Sequence, residues 1–392
     1  MKYYRILIPL FVYAVFLPGS FAEDVTQWRV FEGGAASVGP TAINAITFSP
    51  DGTQLAIADV NGITVYDTYT GETLALLPAS IEHVTTLAFS PDNRIVASAD
   101  EDSTIHLWNA QTREHITDFT SHTDPVVALA FSPDGKTLAS GSFKEIRLWD
   151  LTLGQMRRAT VLHGHRDMVT TLAFSPDSKT LASASFYGTI LLWDLETFQL
   201  RHNLSAHTDS ILALAFSPDN QTLASGGYWS SDAESTIRMW HIHTGHLLVT
   251  FEDHTTPVLA LAFASEVYGV NGSHLVSAGW DNTIRMWDLS TGQLQAIFEA
   301  HTAPVLALAF LPDIHGSDER TLASASLDGI IQLRPLTSSL VRLPWDVNND
   351  GIVNILDLTF IASRFGEDSP DLNGDGIVNI LDMTLIARQI GE

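Results

Sequence analysis

The sequence predicts an all-β fold, a seven-bladed β-propeller, followed by a small α-helical module carrying two calcium-type loops. Three observations predict it. A closing aromatic recurs at Tyr66, Trp108, Trp149, Trp193, Trp240 and Trp287, with Leu333 or Arg334 in a degenerate seventh place. That spacing is the period of one four-stranded propeller blade, ~40–45 residues. Phe-Ser-Pro-Asp keeps the same time at Phe48, Phe89, Phe131, Phe174 and Phe216, and loosens at Phe263 and Phe310. Between the markers, short apolar and β-branched runs alternate with turn residues, as in an antiparallel meander.

The stretch from His254 to Asp288 shows the unit most completely. Val258 to Phe263, Leu275 to Ala278 and Thr283 to Asp288 read as three strands, with a turn at Trp280-Asp281-Asn282. One such meander is too small to be stable alone, so it must lie against copies of itself. Pro-Asp followed by Gly, Asn or Ser is hairpin chemistry, because Pro presets φ and the next residues tolerate turn conformations.

With these markers the chain resembles the WD-repeat propellers, over roughly four fifths of its length. In that family a His before the first strand, a Ser or Thr on the second, an Asp in the next turn and the Trp form a hydrogen-bonded tetrad. The resemblance implies a complete tetrad in repeat six, His254, Ser277, Asp281 and Trp287. Repeat two keeps Ser98, Asp102 and Trp108, with Ser80 in the His place. Repeat three has His122, Ser140 and Trp149 with Phe143-Lys144 in the turn, and repeat four has His165, Ser183 and Trp193 with Tyr187 in the Asp place. Repeat five has His207, Ser225, Glu234 and Trp240, and repeat seven has His301, Ser324 and Asp328 without the Trp. Repeat one is the most eroded.

Residues 1–22 have Lys2 and Arg5, an apolar run from Ile6 to Leu17, then Ser20-Phe21-Ala22. A basic start, a short apolar core and small residues make a secretory signal peptide, with cleavage expected after Ala22. The run is well short of the ~20 residues of a spanning helix, so no membrane insertion is expected. The chain has no Cys to carry an acyl group or a disulfide. Stability must then come from core burial and bound ions. Acids number 45 against 20 Lys plus Arg, and loss of Lys2 and Arg5 leaves 18. So acidic a chain is repelled by nucleic acid and by anionic membrane, and neither is expected as a partner.

After the signal, 23–336 is the expected propeller and 337–344 a linker. Gln27 to Gly33 resembles Leu294 to Ala300, the outer strand before the next blade. A propeller shuts without a free edge when an N-terminal strand completes the last blade. That strand is preferred here over the competing segment Leu340 to Leu343.

Residues 345–392 read as a different module. Asp346, Asn348, Asp350, Asn354 and Asp357 place side-chain oxygens in a twelve-residue loop of the EF-hand type, with Gly351 at the sharp turn and the Ile352 carbonyl as a further ligand. Asp371, Asn373, Asp375, Ile377, Asn379 and Asp382 repeat the pattern around Gly376. Converging hard oxygens, three of them carboxylates in each loop, suit calcium, and two ions are expected. Leu358, Ile361 and Phe365 follow the first loop at helical spacing, and Leu385, Ile386 and Ile390 follow the second. A loop-plus-helix tandem with Asp at position 12 resembles a type I dockerin. The resemblance implies a cohesin-domain partner facing Ile355, Leu356 and Arg364 in one half and Ile380, Leu381 and Arg388 in the other. Small or hydroxyl residues are frequent at the Ile-Leu positions in cellulosomal examples, so these pairs point away from a cellulosomal partner; packing on the propeller is the alternative.

The turns between second and third strands of repeats three to six carry Phe143, Phe186, Tyr187, Tyr228, Trp229 and Trp280. Two readings stay open. The rings form a binding sector for a peptide, protein or glycan, or each packs over its own turn in the place of a missing tetrad Asp. His241, His243 and His246 are metal-like in spacing but lack a fourth ligand, and an exposed hairpin is expected. No nucleophile-base constellation, phosphate-cradling loop or Cys is present, so no catalytic residue is assigned. The expected role is a secreted, extracellular or cell-surface interaction module tethered through its dockerin. The alternatives are a carbohydrate-binding, lectin-like propeller and a polysaccharide hydrolase or lyase using the central channel.

Overall fold

A computed structural model gives the architecture. It describes residues 29–32, 45–59, 62–68, 70–77, 84–152, 159–205, 207–227, 235–254, 256–264, 274–299, 301–311, 320–328 and 330–336. The signal segment, the linker and the whole dockerin region lie outside these residues.

Every described element of regular structure is a β-strand, and every pairing is antiparallel. The strands make seven four-stranded blades. Blade six is the plainest, with Val258–Ala264, His274–Gly279, Ile284–Asp288 and Gln293–Phe298 in simple meander order. Blades three and four share one sixteen-residue strand, Ala159–Phe174, and so form a continuous seven-stranded sheet. Its first half pairs with Phe143–Asp150 as the outer strand of blade three, and its second half pairs with Thr180–Ser185 as the inner strand of blade four.

The ring closes as the N-terminal reading requires. Arg29–Glu32 runs beside Ile330–Leu336, with Val30 opposite Gln332 and Phe31 opposite Ile331. It is the fourth strand of blade seven, whose other members are Val305–Leu311 and Arg320–Ser326. The inner strands of successive blades touch all the way round, and that of blade seven, Val305–Leu311, touches Ala45–Phe48 of blade one. The two ends of the propeller are thus joined, and the edge that Ile330–Leu336 would otherwise expose is covered.

The core lies between blades rather than inside them. Ile105, Leu107 and Phe119 of blade two pack against Leu138 and Trp149 of blade three. Ile237 and Phe251 of blade five pack in the same way against Leu275 and Trp287 of blade six. The Phe119 and Trp149 rings stack 4.5 Å apart, and the Phe251 and Trp287 rings meet at 4.8 Å. Burial of each such side chain contributes roughly 1.5–3 kcal/mol. The recurrent Trp is therefore a joint to the preceding blade.

The Phe-Ser-Pro-Asp turns hold the inner hairpins. Ser49, Ser90, Ser132, Ser175 and Ser217 donate their hydroxyls to the Asp two residues on. The residue after the Asp takes positive φ, as Gly52, Asn93, Gly135, Ser178 and Asn220. Three of these residues also reach the preceding blade. Asn93 bonds Asp51, Ser178 Oγ accepts from the Asp134 amide at 3.1 Å, and Asn220 Oδ1 accepts from the Asp177 amide at 3.0 Å. One short motif thus closes a turn and, in these blades, ties it to its neighbour.

Candidate functional site

The polar networks inside the blades are the first place to look for chemistry. In blade six His254 Nε2 lies 2.7 Å from Ser277 Oγ, and His254 Nδ1 lies 2.9 Å from Asp281. The Trp287 indole N–H donates to the same Ser277 hydroxyl at 2.8 Å. Burial works to raise the Asp281 pKa, but hydrogen bonds from His254 and Thr283 outweigh it and hold the carboxyl at about 2. Each group is committed to the others and covered from solvent. The Ser, His and Asp make a strut, with no exposed nucleophile.

Blades two to five keep the Ser–Trp half and vary the rest. Blade seven joins His301 to Ser324 at 2.8 Å and to Asp328 at 3.2 Å. Of the two candidates for its degenerate aromatic place it is Arg334, opposite Leu322, that stands where Trp287 stands opposite Leu275. Its guanidinium lies 3.9 Å over the Phe298 ring of blade six, so a cation–π contact replaces the ring joint.

Blade three lost its turn Asp, yet its histidine is partnered. Glu145 Oε1, from the third strand, lies 2.8 Å from His122 Nδ1 and also accepts from Arg147. The turn is one residue shorter than in blade six, with Lys144 at positive φ, and this brings Glu145 into the vacated place. The sequence reading missed Glu145 because it sought an acid at a fixed distance from the Trp.

Blade two departs more. Trp108 donates to Ser98 at 2.9 Å, but the expected Asp102 is exposed and stays out of the network. The buried acid is Asp100, at the end of the second strand and 3.0 Å from Nε2 of His106 on the third, so the chemistry leaves the turn for these two strands.

In blade four His165 bonds Ser183 at 2.7 Å, while its buried Nδ1 has no protein partner. Burial alone depresses His165 to about 4. Burial and Arg238 together depress His207 of blade five to about 3. In blade three burial lowers His122 to about 4, against the pull of Glu145.

These facts separate the two readings of the turn aromatics. Phe143, Phe186 and Tyr187 are exposed, Tyr187 by 69%. Glu145 has the acid's place beside His122, and nothing has it beside His165. The rings therefore do not fill missing tetrad positions, and that alternative is corrected for blades three and four. Phe186 and Tyr187 meet edge to face at 5.6 Å, and Lys144 lies 4.6 Å over Phe143. Trp280 is half-buried. Tyr228, Trp229 and Glu234 lie outside the described residues, as do all the proposed calcium ligands and cohesin-facing residues.

A central cavity of about 650 Å³ is lined by inner strands. Most side chains along it are aliphatic, including Leu212, Leu214, Leu259, Leu261 and Leu308, with Thr47, Ser49, Asp51 and Thr171 interspersed, yet polar atoms make up slightly more than half of the surface that faces the cavity. No described helix is long and apolar enough to cross a membrane.

A closed ring of antiparallel blades, five of them pinned by a Trp–Ser bond, defines the repeat-built β-propeller class. The family model "WD domain, G-beta repeat" matches residues 72–109, 113–150, 156–194, 198–241, 245–288 and 292–333. The chain belongs to the WD40 family, and it ends in a type I dockerin domain, whose family model matches residues 344–391. Type I dockerins bind calcium, imply a cohesin-type partner and are typical of secreted or cell-surface bacterial proteins. The carboxylate and amide oxygens at 346–357 and 371–382 are a donor set that fits this ion.

The curated relatives match only part of the chain. "WD repeat-containing protein 1" of Bos taurus is 34% identical over 82 residues, 20% of this chain and 14% of that protein. The same protein of Xenopus tropicalis is 34% identical over 86 residues, 21% of this chain and 14% of that one. "Intraflagellar transport protein 122 homolog" of Homo sapiens is 32% identical over 107 residues, 27% of this chain and 8% of that protein. The chain thus spans less than a sixth of the length of each.

Proposed function

We propose that this chain is a secreted, non-catalytic interaction protein whose dockerin, loaded with two calcium ions, tethers the propeller to a cohesin-bearing scaffold or surface protein. The duplicated oxygen-ligand loop at 346–357 and 371–382 carries the reading. One loop needs its ligands at six positions, and the second repeats them in the same order. Residues 1–22 would supply the export signal, and Ile355, Leu356, Arg364, Ile380, Leu381 and Arg388 the cohesin-facing surface. The propeller supports a binding role in two ways. Its described Ser-His-acid sets are buried struts. Its exposed turn aromatics, Phe143, Phe186 and Tyr187, offer the kind of side chain that dominates contact surfaces.

Calcium titration of the whole chain by calorimetry, followed by capture on immobilised cohesins, tests this reading. Two calcium ions per chain are expected, with capture that EDTA reverses. Asp350→Ala with Asp375→Ala should abolish capture. Calcium binding without capture by any cohesin would remove the tethering role. Retention on polysaccharide that Tyr187→Ala abolishes would favour the lectin-like alternative.

A further inference from the structure

Among the described residues, blade two alone has a cluster of metal-ligand side chains. His106 stands on its third strand, Ile105–Asn109, and His115 and Asp118 on its fourth, His115–Phe119. His106 is directly opposite Asp118, and Trp108 is opposite His115, so all four side chains share one face. The place of His106 is held by Arg147, Leu191, Arg238 and Arg285 in blades three to six, and that of Asp118 by Val161, Asn203, Thr250 and Ile297. His115 stands where those blades have Ala159, Leu200, Leu247 and Leu294. Three positions that are elsewhere aliphatic, basic or uncharged polar are here all ligand types.

The contacts pose a proton problem. His106 Nδ1 lies 2.6 Å from Asp118 Oδ1, and His106 Nε2 lies 3.0 Å from Asp100 Oδ2. His115 Nε2 lies 2.6 Å from the same Asp118 oxygen. Ionised carboxylates only accept, and a neutral imidazole has one N–H. If that N–H serves Asp100, the lone pair of Nδ1 faces the Asp118 oxygen. Asp100 is well placed to claim it, being buried and fixed by the backbone amides of Asp102 and Thr104 on its other oxygen. Either a second ring proton on His106 or a metal cation between Nδ1 and Asp118 resolves the clash. With the cation, Asp100–His106–ion is the carboxylate–histidine–metal arrangement, in which the acid sets the tautomer and ring orientation.

We propose that His106 Nδ1, His115 Nε2 and an Asp118 oxygen bind one divalent transition-metal ion, with Asp100 as the orienting carboxylate. The three ligand atoms already lie within 4.8 Å of one another. Metal–ligand bonds of ~2.0–2.2 Å need them roughly 3.3 Å apart in a tetrahedron. The half-exposed His115 and Asp118 can rotate to give this opening. Two imidazoles with one carboxylate suit zinc rather than calcium, which takes oxygens. Three protein ligands leave a fourth position for water or for a group from a bound partner. The site is separate from the dockerin loops in residues and in ion preference. By contrast, His241 Nδ1 bonds Thr244 Oγ1 at 3.0 Å within its own hairpin, and the His243 backbone carbonyl lies 2.9 Å from His202 Nε2.

Zinc titration of the tag-free chain, held in saturating calcium, tests the site. One zinc per chain is expected at micromolar concentration, with a change in Trp108 emission because His115 lies 5.1 Å from that ring. His115→Gln and Asp118→Asn should each weaken binding at least tenfold while the far-UV circular dichroism is unchanged. Asp100→Asn should weaken it about 10–100-fold. No zinc uptake, with His106 instead carrying both ring protons by NMR, overturns the proposal. Uptake that His115→Gln and Asp118→Asn leave unaltered overturns it as well, by putting the ion elsewhere.

Discussion

Glu145 Oε1 sits 2.8 Å from His122 Nδ1, the place that Asp281 holds beside His254 at 2.9 Å. The same hydrogen bond is thus made by a different residue, from a strand instead of a turn. Glu145 also receives Arg147, and although burial acts to raise its pKa, Arg147 and His122 bring the carboxyl below its ordinary value. Glu145→Gln keeps the size but loses the charge that pairs with Arg147. Its expected cost is about 1–3 kcal/mol. Thermal unfolding of the variant should show a lowered midpoint, and an unchanged midpoint would mean that Arg147 and His122 rearrange without loss.

Blade four presents the opposite case. His165 Nδ1 is buried without a protein partner, and Tyr187 at the tetrad's turn position points to solvent. Tyr187→Asp puts a carboxylate at the place in sequence that Asp281 has, just before a residue of positive φ in each blade, Gly188 and Asn282. Satisfying the buried nitrogen should stabilise the chain by roughly 1–3 kcal/mol. Urea unfolding measures the gain, and a variant no more stable than the parent would show that the carboxylate fails to reach His165.

Acid should weaken the propeller in two stages. His122 and His165 are depressed to about 4 and His207 to about 3, against an unfolded value near 6.5. Between these limits the unfolded chain binds more protons than the folded one, so stability falls as pH drops from about 6.5 to 4. Full titration of His165 is worth on the order of 3 kcal/mol. Asp281, held at about 2, adds stability above the unfolded ~3.9 that is lost as pH falls towards 2. Unfolding free energies at pH 7, 5.5 and 4.5 should descend, and the slope should be shallower in Tyr187→Asp. A flat profile over that range would mean that these histidines titrate normally.

The architecture was legible because its signals are periodic. A Trp every ~40–45 residues and a Ser-Pro-Asp turn in step with it leave few folds to choose from. The joint of Arg334 with Phe298 was half legible: the missing Trp could be counted, but which of Leu333 and Arg334 replaced it depends on strand register. The Glu145 exchange was hidden by a one-residue deletion. The His106–His115–Asp118 group was hidden by topology, since its members come from two strands and only the cross-strand register brings them together. Asp102 misled for a related reason. It occupies the right place in sequence, whereas His106 draws the buried acid to Asp100.

Closure of the ring gives the last prediction. Arg29–Glu32 is the outer strand of blade seven and pairs with Ile330–Leu336. Adjacent residues of a strand direct their N–H groups to opposite sides, so of Val30 and Phe31 one donates into the ladder and the other away from it. A single Pro at the outward position is tolerated on an edge strand, while the double variant Val30→Pro with Phe31→Pro must strike the ladder. It should leave the blades near blade three intact and release the contact that joins the two ends of the propeller. Amide exchange should then quicken first in Ile330–Leu336, the blade-seven strand that pairs with the closing strand. The urea midpoint should also fall below that of the Val30→Ala and Phe31→Ala control. Equal midpoints, with protection in blade seven retained, would mean that the inner-strand contact between Val305–Leu311 and Ala45–Phe48 suffices to hold the ring shut.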